Sequence, residues 1–504
     1  MKTSTILAVG ALAFVTAGIV GLFAFDQFVR IKFDTTIANL ESSTPTIASI
    51  SYEDLELDYV GDALTVHNST ITYEIDQALS DQDRQDGKTL SGTGSLKQDV
   101  ITVHGLWGLI FGNKAIPLLR VDAGEVNFDM TTSTPKTVEV DGVSQVMTFN
   151  EHMQLSLTFG DTRVEDLSWA ETFKDPSVNP LGMKAKYLEA KDYALQTNIT
   201  TKGVGPAAQD LMDEVSVGLD VKLARVVGHN FEPEQVKMLR YEGLDITVSP
   251  AGADAKPLQV SIDAMGFSDL VFDGELPVKM SSYVDGFLLD PNIVTDPKAI
   301  QFMEMFGIDE LKFNVQVAYE FDEETQSLSV APFSFGARKV GQVELGFNLH
   351  SLPWRAYLDD VKKLGTMKND PTLDPVVVQE HAEAVLEKHF NDIAISSLSL
   401  GYADDGLLKK YLAMQASETN ADPAKMARGL STQAYMLVSQ SHGPQSAQVA
   451  QNELGRFLLD PTSITVQLSS DQPLKVKELV EGFAVRGPQV LNQFELSVQA
   501  GGDL

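Results

Sequence analysis

Leu311-Lys312-Phe313-Asn314-Val315-Gln316-Val317-Ala318-Tyr319 alternates between large apolar residues and polar or small ones without a break. A period of two puts the odd positions on one face of a strand and the even positions on the other. Asp322-Glu323-Glu324 then supplies a polar turn. Ser327-Leu328-Ser329-Val330 and Gly341-Gln342-Val343-Glu344-Leu345-Gly346-Phe347 repeat the alternation. Three such runs across short turns predict an antiparallel meander with one packed face and one wet face.

The same texture extends toward the N-terminus. Ile50 to Tyr59, Leu64 to His67 and Ser69 to Tyr73 read as strands, with Gly61-Asp62 as punctuation. Leu96 to Val103, Ala123 to Met130, Lys136 to Val140 and Met147 to Phe159 follow. Residues 79–94 read as a loop. Leu181 to Leu195 is expected to be helical in part, and Gly205-Pro206 to open a short helix. Val215 to Val227, Leu244 to Val248, Leu258 to Ile262 and Leu270 to Val278 return to strand patterning, and Glu232 to Leu239 reads as one or two helical turns. The apolar run Leu106 to Phe111, continuing through Ile116 to Leu119, is expected to cap the sheet as core.

After Pro353 the pattern turns helical. Tyr357 to Leu364 is a short candidate, and Asp374-Pro375 is a start signal for a helix to Phe390. Ile393 to Leu400 reads as a strand. Asp404 or Asp405 then caps Gly406 to Met414, and Asp422-Pro423 opens a helix to Val438. Ala447 to Leu458 is a further helix; Ser463 to Leu468 and Phe494 to Val498 are closing strands. Phe287-Leu288-Leu289-Asp290-Pro291 recurs as Phe457-Leu458-Leu459-Asp460-Pro461, and Tyr52-Glu53-Asp54-Leu55 echoes Tyr241-Glu242-Gly243-Leu244. This is a weak sign of duplicated units.

Residues 6–25 read ILAVGALAFVTAGIVGLFAF and carry no charge. Twenty helical residues match a hydrocarbon core of roughly 30 Å, so the stretch is expected to be a membrane anchor, N-in and C-out. Cleavage after Val15-Thr16-Ala17 as a signal peptide is the alternative. The expected fold class is α+β: an N-terminal transmembrane helix, a largely antiparallel β-sheet body and a helical C-terminal region. The expected division is 1–25 as anchor, 26–200 and 201–355 as β-rich regions, and 356–504 as mixed helix and strand.

With 38 basic and 70 acidic residues, the formal charge is −32. That field opposes nucleic acid, so no nucleic-acid partner is expected. The absence of Cys removes disulfides, thiolate metal sites and cysteine nucleophiles. Phosphate-binding glycine loops, a Gly-x-Ser-x-Gly elbow and a His-Glu-x-x-His motif are absent from the sequence. No catalytic residue, ligand-binding residue, metal ligand or cofactor is therefore assigned. His381 and His389 are eight residues apart, too far around and along a helix to share a metal. His67 and His104 both sit in Thr-Val-His contexts and approach only if their strands pair. The Asp-Pro steps at Asp290, Asp296, Asp374, Asp422 and Asp460 read as caps and turns rather than catalytic acids.

The apolar N-terminal stretch, the strand runs from Leu55 to Tyr73 and the meander from Leu311 to Phe347 resemble the YdgA-like bacterial envelope proteins. A second resemblance is to AsmA-like proteins, which start with one transmembrane helix and carry long curved sheets. The resemblances imply a single-pass inner-membrane protein with its bulk in the periplasm and a membrane contact through residues 6–25. The apolar N-terminal stretch, the β-rich body and the lack of a catalytic motif lead to the expectation of a noncatalytic membrane-anchored envelope protein, with a lipid or an envelope protein as partner. An envelope hydrolase acting on cell-wall polymer or glycan, and a structural or assembly factor, are the alternative expectations.

Overall fold

A computed structural model describes residues 30–501, apart from 32, 36, 40, 43–46, 59, 76–87, 107, 109–114, 141–142, 170–182, 205–214, 233, 251–255, 274–275, 290–296, 369–374 and 420–421. The described residues form a mostly antiparallel sheet structure with helices concentrated toward the C-terminus. They fall into two compact units. The first comprises residues up to Pro233 with Tyr241–Gln259, and the second Glu234–Arg240 with Val260–Leu504.

The strands of the first unit are β1 (Ile47–Ser51), β2 (Asp54–Asp58), β3 (Ala63–Ile75), β4 (Thr89–His104), β5 (Ala115–Val121), β6 (Gly124–Val140), β7 (Val143–Phe159), β8 (Thr162–Trp169), β9 (Met183–Val204) and β10 (Val215–Glu232). The part of β11 (Gln235–Ser249) from Tyr241 onward joins them. β1 and β2 both pair with β3, and β3 pairs with β4. Beyond β4 the sheet has two tracks. Thr89–Gln98 leads through β6 and β7 to the C-terminal part of β9. Ile101–His104 leads through β5 and β8 to its N-terminal part. β10 then pairs along both parts of β9.

Long strands must bend to keep a packed face, and residues of positive φ mark where they do. Asn68, Asp166, Asp192 and Asn230 lie inside β3, β8, β9 and β10 with φ of 48–54°. Asn and Asp tolerate this region because their short polar side chains bond locally. The buried core of this unit gathers Leu55, Leu64, Val66 and Leu106, with Phe33, Tyr52, Leu57 and Ile101 against it. Leu106 is 1% exposed, so the start of the apolar run at 106–111 is core as expected.

The second unit is a meander of β12 (Leu258–Asp273), β13 (Leu276–Leu289), β14 (Lys312–Asp322), β15 (Ser327–Ala337), β16 (Gly341–His350), β17 (Ala394–Asp404), β18 (Ser463–Lys475) and β19 (Glu495–Ala500). Helices fill its connections: α1 (Pro297–Phe306), α2 (Trp354–Lys368), α3 (Pro375–Phe390), α4 (Leu407–Thr419), α5 (Pro423–Leu459) and α6 (Val476–Arg486). Asp422 caps α5 by accepting from Ala424 N at 3.0 Å, and Pro423 occupies the first turn. α5 kinks at Gly443 (φ 80°), where Pro444 offers no N–H to continue the ladder. Leu276, Phe321, Leu352 and Ile393 are the buried core, with Val278, Leu328, Leu349, Trp354 and Val476 around it.

Several expectations are corrected. The anchor assigned to residues 6–25 lies outside the described residues. Among the described residues, no helix is long and apolar enough to cross a membrane. The longest, α5, interleaves Lys425, Arg428, Glu453 and Arg456 with many Gln and Ser residues. The fold class of the described residues is therefore an antiparallel sheet with C-terminal helices, with no transmembrane helix among them. The single-pass inner-membrane topology, the periplasmic location and the membrane partnership rested on that helix, and no helix among the described residues supports them.

Leu181 to Leu195, expected to be partly helical, belongs to strand β9 from Met183 onward. Glu232 to Leu239 leads into strand β11 rather than forming helical turns. Residues 205–214, including the helix expected at Gly205-Pro206, lie outside the described residues. The repeated pentapeptide closes strand β13 at one copy and helix α5 at the other, so the two copies do not mark one structural unit.

Candidate functional site

Directly paired residues in an antiparallel sheet share a face, and positions two apart along each strand share it too. Applied to β4, β6, β7, β9 and β10, the register separates two unlike faces. Leu96, Val126, Leu157, Leu195 and Val221 form one continuous cross-strand row. The neighbouring row on this apolar face contains Gly94, Phe128, Leu155, Thr197 and Leu219. The Phe128 ring lies where a side chain at Gly94 would stand, and its centroid is 5.8 Å from that of Tyr73.

The opposite face is predominantly polar over three successive rows. One row reads Ser95, Asn127, Ser156, Gln196, Asp220. The next reads Thr93, Asp129, Gln154, Asn198, Gly218, and the one beyond it Ser91, Thr131, His152, Thr200, Ser216. A trough of about 670 Å³ crosses the first two of these rows, with Ser249 on β11 at its end. It reaches from β4 to β11, five strand spacings or roughly 24 Å. Between the two polar rows the lining also takes in the apolar-face row Gly94, Phe128, Leu155, Thr197 and Leu219, whereas the next apolar-face rows, at Leu96 and Met130, do not line it; the trough therefore opens on the polar face, over the strip of backbone between its two polar rows.

The trough offers hydroxyl and carboxamide groups in quantity and no cation: none of its lining residues is Lys, Arg or His. Its two carboxylates differ. Asp129 accepts from His152 Nε2 at 2.8 Å and from Gln154 Nε2 at 3.2 Å, which lowers its carboxyl below the ordinary value, the His152 bond contributing most. Asp220 has Lys222 Nζ 3.5 Å from Oδ2, while its Oδ1 is buried without a hydrogen-bond partner among the described residues. Asn198 accepts from Ser216 Oγ at 2.8 Å, leaving its amide hydrogens for another acceptor. Ser95, Asn127, Ser156 and Gln196 spend no side-chain hydrogen bond on a described residue.

This arrangement suits binding better than chemistry. Asp129 and Asp220 stand on β6 and β10, three strand spacings apart, or roughly 14 Å. A glycosidase pair needs about 5–9.5 Å. No group of three or more His, Asp or Glu residues able to hold a metal occurs among the described residues. The hydrolase expectation therefore finds no catalytic pair in the trough, and the expectation of a membrane-anchored lipid binder finds no membrane-spanning helix among the described residues.

The histidines singled out in the sequence have other roles. β3 and β4 do pair, but His67 lies opposite Val100 and His104 opposite Ala63. The two are four residues apart along the sheet, roughly 13 Å, and share no site. His389 is 4% exposed and bonds through Nε2 to Asp360 at 2.9 Å, fastening α3 to α2. His381 is exposed on α3. Asp422 caps α5 and Asp460 ends it, while Asp290, Asp296 and Asp374 lie outside the described residues.

A family model described as "Uncharacterized protein" matches residues 334–501, one third of the chain and all within the second unit. That description carries no link to the YdgA-like or AsmA-like resemblance. A comparison with curated proteins found no match.

Proposed function

We propose that the first unit is a noncatalytic binding module for an uncharged, hydroxyl-rich chain molecule of oligosaccharide type, laid along the polar trough. The observation that carries the reading is the row Ser95, Asn127, Ser156, Gln196, Asp220. Five adjacent strands each present a hydrogen-bonding side chain at one register position, and four of the five keep that capacity unspent. Hydroxyls and carboxamides both donate and accept, as sugar hydroxyls do. The lack of a cation in the lining and the net charge of −32 disfavour phosphate, carboxylate and nucleic acid as ligands.

Titration calorimetry of the full chain with cellotetraose and with tetragalacturonate tests the reading. The neutral tetramer is expected to bind and the anionic one not to. Ser156→Val and Gln196→Leu are each expected to weaken binding by roughly two- to tenfold, the value of one neutral hydrogen bond. Absence of binding by the neutral tetramer, or a preference for the anionic one, refutes it.

A further inference from the structure

The β10 end of the trough is built differently from the rest. The row Thr93, Asp129, Gln154, Asn198 loses its side chain at Gly218 and regains one at Ser249. Glycine in a strand interior is unfavourable and calls for a reason. Backbone conformation does not supply it, since Gly218 is not among the glycines of positive φ. Crowding does not supply it either. A Cβ there would meet only the Ser249 Cβ, at 3.5 Å, an ordinary contact. What the missing side chain leaves is a notch in the trough.

Asp220 stands two residues along the same strand, on the same face as that notch. Its Oδ1 is buried and has no hydrogen-bond partner among the described residues, while Lys222 Nζ lies 3.5 Å from Oδ2. A buried carboxylate oxygen without a donor is costly. A half-turn about χ2 only exchanges its two equivalent oxygens, so the carboxylate edge that meets the notch is the one Lys222 approaches, and a ligand cation there competes with that ammonium. The other trough carboxylate, Asp129, already accepts from His152 and Gln154.

The geometry points to a subsite for a protonated amino group of the ligand, seated in the Gly218 notch against Asp220, so that the preferred oligosaccharide carries free amines. This rests on the binding reading above and narrows its ligand to amino sugars. Asn198 and Ser249 flank the notch and are placed to hold the hydroxyls next to the amine.

Three tetramers with one backbone and different C2 groups separate the two readings: β-1,4-linked glucosamine (amine), N-acetylglucosamine (acetamide) and cellotetraose (hydroxyl). Calorimetry with the full chain is expected to show the amine tetramer binding at least about tenfold tighter than the others, the scale of one charge-assisted hydrogen bond. A chain of charge −32 attracts any cation, so the variants carry the discrimination. Asp220→Asn changes the net charge by one and is expected to bring the amine tetramer to parity with cellotetraose. Gly218→Val is expected to weaken all three by filling the notch. Lys222→Met removes the competing ammonium and is expected to widen the amine preference. Equal binding of amine and hydroxyl tetramers to the wild-type chain, or an amine preference that survives Asp220→Asn, overturns the subsite and leaves the trough reading standing. Binding of none of the three overturns both.

Discussion

Asp404 organises the start of α4, and its replacement is a sharp test of the local energetics. Its Oδ1 accepts from Leu408 N at 2.8 Å and from Tyr402 Oη at 3.0 Å. Its Oδ2 accepts from Gly406 N at 3.1 Å and Lys409 N at 3.4 Å. Asp404→Ala strips the helix of its first-turn acceptor, costing about 1 kcal/mol. It also leaves the half-buried Tyr402 hydroxyl with Val340 O, at 3.3 Å, as its acceptor in place of the closer carboxylate, costing about 0.5–1 kcal/mol more. Burial, and then the bond to Asp404, push the Tyr402 hydroxyl well above the ordinary phenol value, so it stays a donor at every working pH. A total of about 1.5–2 kcal/mol corresponds to a roughly ten- to thirtyfold rise in local opening. Hydrogen–deuterium exchange of the peptide covering 407–419 reads this directly. Asp404→Asn keeps one carbonyl oxygen for Leu408 and Tyr402 and is expected to lose about half as much. Exchange within twofold of wild type in Asp404→Ala, or equal loss in the two variants, refutes the reasoning.

Other outcomes follow from the same geometry. Leu55 is fully buried among Leu64, Val66 and Leu106, so Leu55→Ala is expected to destabilise by about 2–5 kcal/mol in thermal denaturation; a loss below about 1 kcal/mol contradicts the core assignment. Asp360 accepts from Lys388, His389 and Lys363, which hold its carboxyl far below the ordinary value, the Lys388 bond first. A depressed folded value means that its stabilisation is complete above the unfolded value of about 3.9 and fades as pH falls through the lower folded value. Exchange protection of α3 is expected to fall with pH below about 4 in wild type and to lose that dependence in Asp360→Asn; an identical profile in both contradicts it. Gln196 spends no side-chain hydrogen bond on a described residue, so Gln196→Leu is expected to leave the melting temperature within about 2 °C of wild type, consistent with a surface change under about 0.5 kcal/mol; a larger drop gives Gln196 a structural role.

The meander from Leu311 to Phe347 was legible because one of its faces is consistently apolar and the other consistently polar, so the period survives in the sequence. The Asp404 and Asp422 helix starts were legible because capping is a local event. β9 was obscured by Asp192, whose positive φ breaks the alternation of a 22-residue strand. Glu234, Gln235 and Lys237 favour helix in isolation, and strand pairing overrides them in β11. Residues 457–461 repeat 287–291 in sequence, yet 287–289 close strand β13 while 457–459 close helix α5, a direct case of context outweighing local identity. The trough left no mark along the chain. Ser95, Asn127, Ser156, Gln196 and Asp220 each look like one wet position of an ordinary half-buried strand. Only the register across β4, β6, β7, β9 and β10 assembles them, and no spacing in one dimension encodes it.

A crystal structure of the full chain grown with cellotetraose tests the central claim most directly. The account predicts a sugar chain lying across the strands in the polar trough, with hydroxyls within hydrogen-bond distance of Ser156 and Gln196. Crystals that leave this trough empty while the tetramer is bound elsewhere, or that hold none at saturating concentration, contradict it.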